Sequence, residues 1–99
     1  RFRRDGDDLY TTVSVNAFEA LLGTKRSVAN AYGQHIKLTV PKGAQPGDRL
    51  RLREQGVQTD DGAGDLYVEI EVTIPRTLTP VQEEALRQIG RDAGLIARD

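Results

Sequence analysis

His35 is the single histidine of a chain without cysteine, so any nucleophile–base pair or His-containing metal centre would have to be built on it. It lies beside Gln34 and Lys37 on the outward side of a strand pattern, and no motif supplies a group to orient it. It reads as a surface histidine. Asp5, Asp7 and Asp8 form one acidic cluster, and Asp60, Asp61 and Asp65 another. A calcium loop of the EF-hand type needs ligands at fixed positions of a ~12-residue loop closed by a glutamate. Neither cluster has that spacing, and both read as solvated turn carboxylates. Gly62-Ala63-Gly64-Asp65 precedes a strand, whereas a dinucleotide-binding glycine loop follows one and opens a helix. Neither catalytic residue, metal nor cofactor is therefore expected. Arg49, Arg51 and Arg53 form a basic strip suited to phosphate or an acidic peptide. The competing reading, and the one favoured, is cross-strand pairing with Glu69 and Glu71, because the chain has no long-range basic field.

These groups must be positioned by elements that are mostly of period two. Leu9, Thr11, Val13 and Val15 predict a strand over about 8–15, after the turn chemistry of Arg4-Asp5-Gly6-Asp7. Asn16 with Glu19 has the logic of a capping box, so Ala17 to Leu22 reads as a short helix that Gly23 stops. The i, i+4 pairs Ala17/Leu21 and Phe18/Leu22 predict that one side of it packs inward. Residues 25–29 and 34–40 read as a hairpin turned at Asn30-Ala31-Tyr32-Gly33. Pro46-Gly47 suits the centre of a type II turn. Arg49 to Arg53 reads as a strand and Asp60 to Gly64 as a loop. The clearest strand is Asp65 to Ile74, with Leu66, Val68, Ile70, Val72 and Ile74 inward; one wet face points to an antiparallel layer. Thr79-Pro80-Val81-Gln82 starts a helix over about 80–90, with Val81, Ala85, Leu86 and Ile89 on one side.

At 99 residues the chain is one domain's worth, with a modest core. With 37% apolar and 29% charged residues it is neither disordered nor a helical membrane protein. No apolar run nears the ~20 residues of a membrane helix. Its 14 Lys and Arg against 15 Asp and Glu argue against a nucleic-acid binder. Lack of cysteine fits a reducing cytoplasm. The opening Arg-Phe-Arg-Arg reads as the start of a fragment of a longer protein. Phe18, Leu21, Leu22, Val28 and Ile36 are either core or an apolar groove beside an edge strand, able to take an extended peptide by strand addition.

Four segments carry a resemblance across nearly the whole chain. They are Arg4-Asp5-Gly6-Asp7-Asp8-Leu9, Glu19-Ala20-Leu21-Leu22-Gly23, Val40-Pro41-Lys42-Gly43 through Gln45-Pro46-Gly47-Asp48-Arg49-Leu50-Arg51-Leu52, and Gly64-Asp65-Leu66-Tyr67-Val68 ending at Pro75. In this order and spacing they resemble the C-terminal substrate-binding region of DnaJ/Hsp40 co-chaperones, specifically the second of its two β-domains. The resemblance implies a mainly β, compact, mostly antiparallel sandwich-like single domain over 1–99. Its β-part would cover about 8–75, with a short early helix and a C-terminal helix. It implies a non-enzymatic module that helps hold non-native polypeptide clients and supports homodimerisation of a parent that works with Hsp70 through its other parts. The J-domain's His-Pro-Asp motif and the zinc-binding cysteine module are absent from this chain.

The family's main peptide pocket belongs to the first β-domain; the matching positions here run along Lys25 to Ala29, with Phe18 and Ile36 nearby. The expected client groove is Phe18, Leu22, Val28, Ala31 and Ile36. The helix from Thr79 resembles the segment leading into dimerisation, which makes Val81, Leu86, Ile89, Leu95 and Ile96 the dimer candidates; packing of that helix on the sheet is the equal alternative. Two departures stand out. Arg53-Glu54-Gln55-Gly56 replaces the frequent Arg-Gly-Lys-Gly, and Ala31 stands where a larger apolar residue is usual. Some family members bind curved DNA, which the charge balance does not support. The competing classes are a purely structural spacer and dimerisation domain, and a carbohydrate- or nucleic-acid-binding β-domain, which five aromatics serve poorly.

Overall fold

The computed structural model describes residues 2–97. Along the chain run β1 (Arg3–Asp5), β2 (Asp8–Asn16), α1 (Ala17–Leu22), β3 (Thr24–Ala29), β4 (His35–Val40), β5 (Arg49–Leu52), β6 (Gln58–Thr59), β7 (Gly62–Ala63), β8 (Leu66–Thr73) and α2 (Pro80–Asp92). The protein is mainly β, as expected, with the early and late helices in place. Three sheets form: β1-β2-β8-β5, the hairpin β3-β4 and the small β6-β7 pair.

The centre of the four-stranded sheet is a parallel pair, Leu9↔Leu66 through Asn16↔Thr73. The expectation for β8 was an antiparallel layer, which holds only on its β5 side. Alternation reports which face is wet, not the direction of the neighbouring strand. The inner side chains Leu9, Val15, Leu66, Val68 and Ile70 pack with Leu38 and Val40 of the hairpin and with Ala20 and Ala44. Two layers thus enclose one core, and the buried Ala20 is α1's contribution.

Several local predictions are met with identifiable bonds. Asp48 N donates to Gln45 O across Pro46-Gly47, with Gly47 at φ 88, as a type II turn requires. Other expectations need correction. Leu21 and Leu22 are 64% and 66% exposed, so the inward side of α1 is neither of the expected i, i+4 pairs. Ile74 lies beyond the end of β8 and is exposed. Asp60 to Gly64 is not a bare loop, because β7 lies within it and pairs with β6 just before it. Arg3–Asp5 adds an edge strand to the Gly6 turn.

No residue of α2 is buried. The molecule measures 63 × 22 × 18 Å with a radius of gyration of 17.7 Å. A compact chain of this size would give about 13 Å. The helix projects from the β-body rather than lying on it.

Candidate functional site

Where α1 meets the root of α2, the sequence builds a small apolar notch. Asn16 Oδ1 accepts the Glu19 N–H at 2.9 Å, and the Glu19 carboxylate accepts the Asn16 N–H at 3.0 Å. This reciprocal cap fixes where α1 begins. The Asn16 N–H, and then Arg26 with its Nη2 at 2.7 Å, hold the Glu19 carboxyl below the usual carboxylate range. The helix ends at Gly23, whose φ of 84 and ψ of 155 only glycine adopts readily. So held, α1 buries Ala20 and turns Phe18 and Leu21 away from the core.

Pro75 follows the last strand, and Thr79 opens α2 with a second reciprocal cap, to Gln82. Phe18, Leu78, Ala85, Leu86 and Ile89 then line a groove of about 380 Å³. An adjoining hollow of about 220 Å³ brings in Leu21, Ile74 and Pro75. Leu78 was not among the expected site residues. Its signal was its place directly before an N-cap, where apolar residues staple a helix start; its partners here are Phe18 and Leu86 rather than the fourth helical residue.

The five expected groove residues do not converge. Phe18 and Leu22 sit on α1. Val28 and Ile36 face each other across the hairpin, half-buried and on the side that packs on the core. Ala31 is exposed in the hairpin turn. That turn is organised by buried Asn30. Its Oδ1 accepts the Tyr32 and Gln34 N–H groups, and its amide nitrogen donates to Gln34 and to Gln55, each at 3.0 Å. Tyr32 Oη accepts the Gln58 N–H at 3.0 Å, so the hairpin tip is tied to the segment after β5. Of the dimer candidates, Val81, Leu86, Ile89, Leu95 and Ile96 are all exposed. Leu86 and Ile89 edge the notch. Leu95 and Ile96 fold back, both N–H groups reaching Gly90 O.

The basic strip is wired differently from expectation. Arg51 pairs with Asp65 at 2.7 Å, not with a glutamate. Asp65 also accepts the Glu54 N–H at 2.9 Å; that bond first, and Arg51 second, keep its carboxyl below the ordinary aspartate range. Asp65 raises the Arg51 guanidinium in turn. Arg49 sits opposite Glu69 in register, but its guanidinium lies over the Tyr10 ring, 5.3 Å from the centroid. Arg3 covers the same ring at 4.5 Å, and Tyr10 stacks on Tyr67 at 5.1 Å. Glu71 accepts the Ser14 hydroxyl. His35 is exposed, with Ser27 Oγ 3.5 Å from Nδ1. Among the described residues no group of three or more His, Asp or Glu is placed to hold a metal ion. No helix among them is long and apolar enough to cross a membrane.

Residues 1–75 match the family model of the DnaJ C terminal domain. The chain belongs to this family. Proteins named Chaperone protein DnaJ are similar to it throughout. That of Clostridium beijerinckii is 41% identical over 95 residues, covering 94% of this chain and 25% of that protein. That of Geobacillus kaustophilus is 40% identical over 95 residues, again 94% and 25%. That of Erysipelothrix rhusiopathiae is 39% identical over 90 residues, 89% and 24%. The chain thus spans about a quarter of the length of the curated relatives it matches.

The segments that carried the resemblance to DnaJ have structural work in this member of the family. Gly64 runs against the Asp7 carbonyl, where a Cβ would collide. Val57 N donates to that carbonyl at 2.8 Å, and Asp65 N donates to Asp8 Oδ1 at 2.8 Å. Gly64-Asp65-Leu66 therefore docks β8 against the start of β2. Glu54, where the family often has glycine, is the one described non-glycine residue at positive φ, 63.

Proposed function

We propose that this chain is the second β-domain of a DnaJ-type co-chaperone, with no catalytic site of its own. In this reading it helps hold non-native polypeptide, and its last helix joins two copies of a parent that works with Hsp70 in the cytoplasm. The observation that carries the reading is the projecting α2. An amphipathic helix with Val81 and Ile89 80% and 61% exposed, and with no residue buried, leaves an apolar side for another surface. Joining two arms would raise the effective concentration of the second contact on a client with several exposed segments. That exposure favours a partner over the alternative, packing of α2 on the sheet.

Client holding is supported by the notch around Phe18 and by the half-buried Val28–Ile36 pair. The separation of these two places favours, as a second reading, a spacer and dimerisation module without client binding. Two measurements test the proposal. Sedimentation velocity compares this chain with Ile89→Asp; the expected outcome is loss of dimer, and an equally dimeric variant overturns the assignment to α2. An NMR titration with an unfolded apolar peptide is expected to shift Phe18, Val28 or Ile36. Absence of shifts at millimolar peptide leaves only the spacer.

A further inference from the structure

The face of the four-stranded sheet turned away from the core holds charges that the function proposed above does not use. Tyr10 and Tyr67 alternate with the buried Leu9, Leu66 and Val68, so both stand on that outer face. Four arginines are held by carboxylates: Arg4 by Asp7, Arg26 by Glu19, Arg51 by Asp65 and Arg87 by Glu84. Arg3 and Arg49 are exposed and pair with no carboxylate among the described residues. Both guanidiniums lie instead over the one Tyr10 ring, 4.5 and 5.3 Å from its centroid. They come from opposite edges of the sheet, β1 and β5. Arg49 reaches across β8 to do so and leaves its register partner Glu69 without an ion pair.

Two like charges gathered on one ring repel, and the ring's attraction offsets only part of that. An anion placed between them satisfies both. Guanidinium forks already resting on an aromatic face lose little freedom when they take a phosphate. The Tyr10 ring is itself steadied by its stack on Tyr67. Beside Arg3 and Tyr10 the surface opens into a hollow of about 370 Å³ whose walls include Thr12 and Glu69. These two face each other in register on β2 and β8. The hollow therefore sets one unpaired carboxylate next to two unpaired guanidiniums.

From this geometry we infer a binding site for a phosphate ester that carries an amine. The phosphate lies between Arg3 and Arg49 over Tyr10, and the ammonium enters the hollow towards Glu69. A plain phosphate gains the two arginines but meets the Glu69 carboxylate; the amine turns that repulsion into attraction. This chemistry has two sources, a free amino-phosphate and the head group of a phosphatidylethanolamine membrane.

The test titrates the isotope-labelled chain at low salt with phosphoethanolamine and with ethyl phosphate, at a pH where both phosphates are dianions. The two compounds differ in the amine alone. The readout is the Nε–H signals of Arg3 and Arg49 and the amides of β2 and β8. Phosphoethanolamine is expected to bind with a Kd of about 1 mM, about threefold more tightly than ethyl phosphate. Glu69→Gln should remove that preference by tightening ethyl phosphate. Arg3→Gln and Arg49→Gln should each weaken both compounds about fivefold, with amide dispersion retained. Arg87→Gln, the same charge change on the projecting helix, should alter neither. Co-sedimentation with vesicles of phosphatidylethanolamine and phosphatidylcholine, absent with phosphatidylcholine alone, supports the inference and names the membrane as source. Binding of the soluble compound alone supports it and names the free ester. Equal affinity for the two compounds overturns the inference, and so does unchanged affinity in both arginine variants. Absence of shifts at tens of millimolar of either compound overturns it as well.

Discussion

The β-body and the last helix are built from equally amphipathic sequence, but only the body has something to pack on. In the body, every second residue of β8 is covered by the hairpin layer, and Leu66 and Val68 lose all contact with solvent. In α2 the corresponding stripe, Leu86 and Ile89, meets little beyond Phe18 and Leu78. The difference teaches that amphipathic period signals a need for a partner without naming one. The helix is nonetheless well formed, because its ends are satisfied locally: Thr79 and Gln82 cap the start, and Ala93 N donates to Ile89 O at the finish.

That contrast is most directly broken by equal truncations on its two sides. Leu66→Ala should cost about 2–5 kcal/mol in denaturant unfolding, as buried leucines do. Leu86→Ala at low protein concentration should stay within about 0.5 kcal/mol of the parent. A large loss for Leu86→Ala would mean that α2 packs on the body after all. Next in size is Gly64→Ala, expected to cost about 1–3 kcal/mol because the new methyl runs into the carbonyl group and Cβ of Asp7. Its circular-dichroism melt should fall while the dimer contact proposed for α2 is spared. One effect has the opposite sign. Glu54→Gly removes a left-handed glutamate and should stabilise the body by about 1 kcal/mol, read as a higher denaturant midpoint.

Much of this architecture was legible because its signals are local. The caps at Asn16 and Thr79, the Pro46-Gly47 turn and the alternation of β2, β4 and β8 need only neighbouring residues to be read. What escaped was relational. Arg3–Asp5 has no apolar alternation and becomes a strand because the Gly6 turn lays it against Tyr10 and Leu9. The parallel partner of β8 is distant in sequence. A separation of 14 positions hides the Arg51–Asp65 pair, which forms only when β5 and β8 align. For the candidate site, the apolar side of α2 could be read residue by residue. The exposure of Leu21 and Leu22 could not, because an i, i+4 pair looks the same whether its cover comes from this chain or from another.

The central parallel pair has a consequence for how the domain comes into being. Its partners, such as Ser14 and Glu71, stand 57 positions apart, while the hairpin closes over a short turn between Ala29 and His35. Loop-closure entropy makes distant pairings slow, so the hairpin can form long before the sheet beneath it is complete. On a ribosome, β2 and the hairpin would emerge and wait for β8. During that interval Leu38 and Val40 lack Leu66, Val68 and Ile70 of the opposite layer. The order of synthesis therefore makes this chain, until its last strand arrives, a bearer of the same kind of uncovered apolar surface that marks a non-native polypeptide.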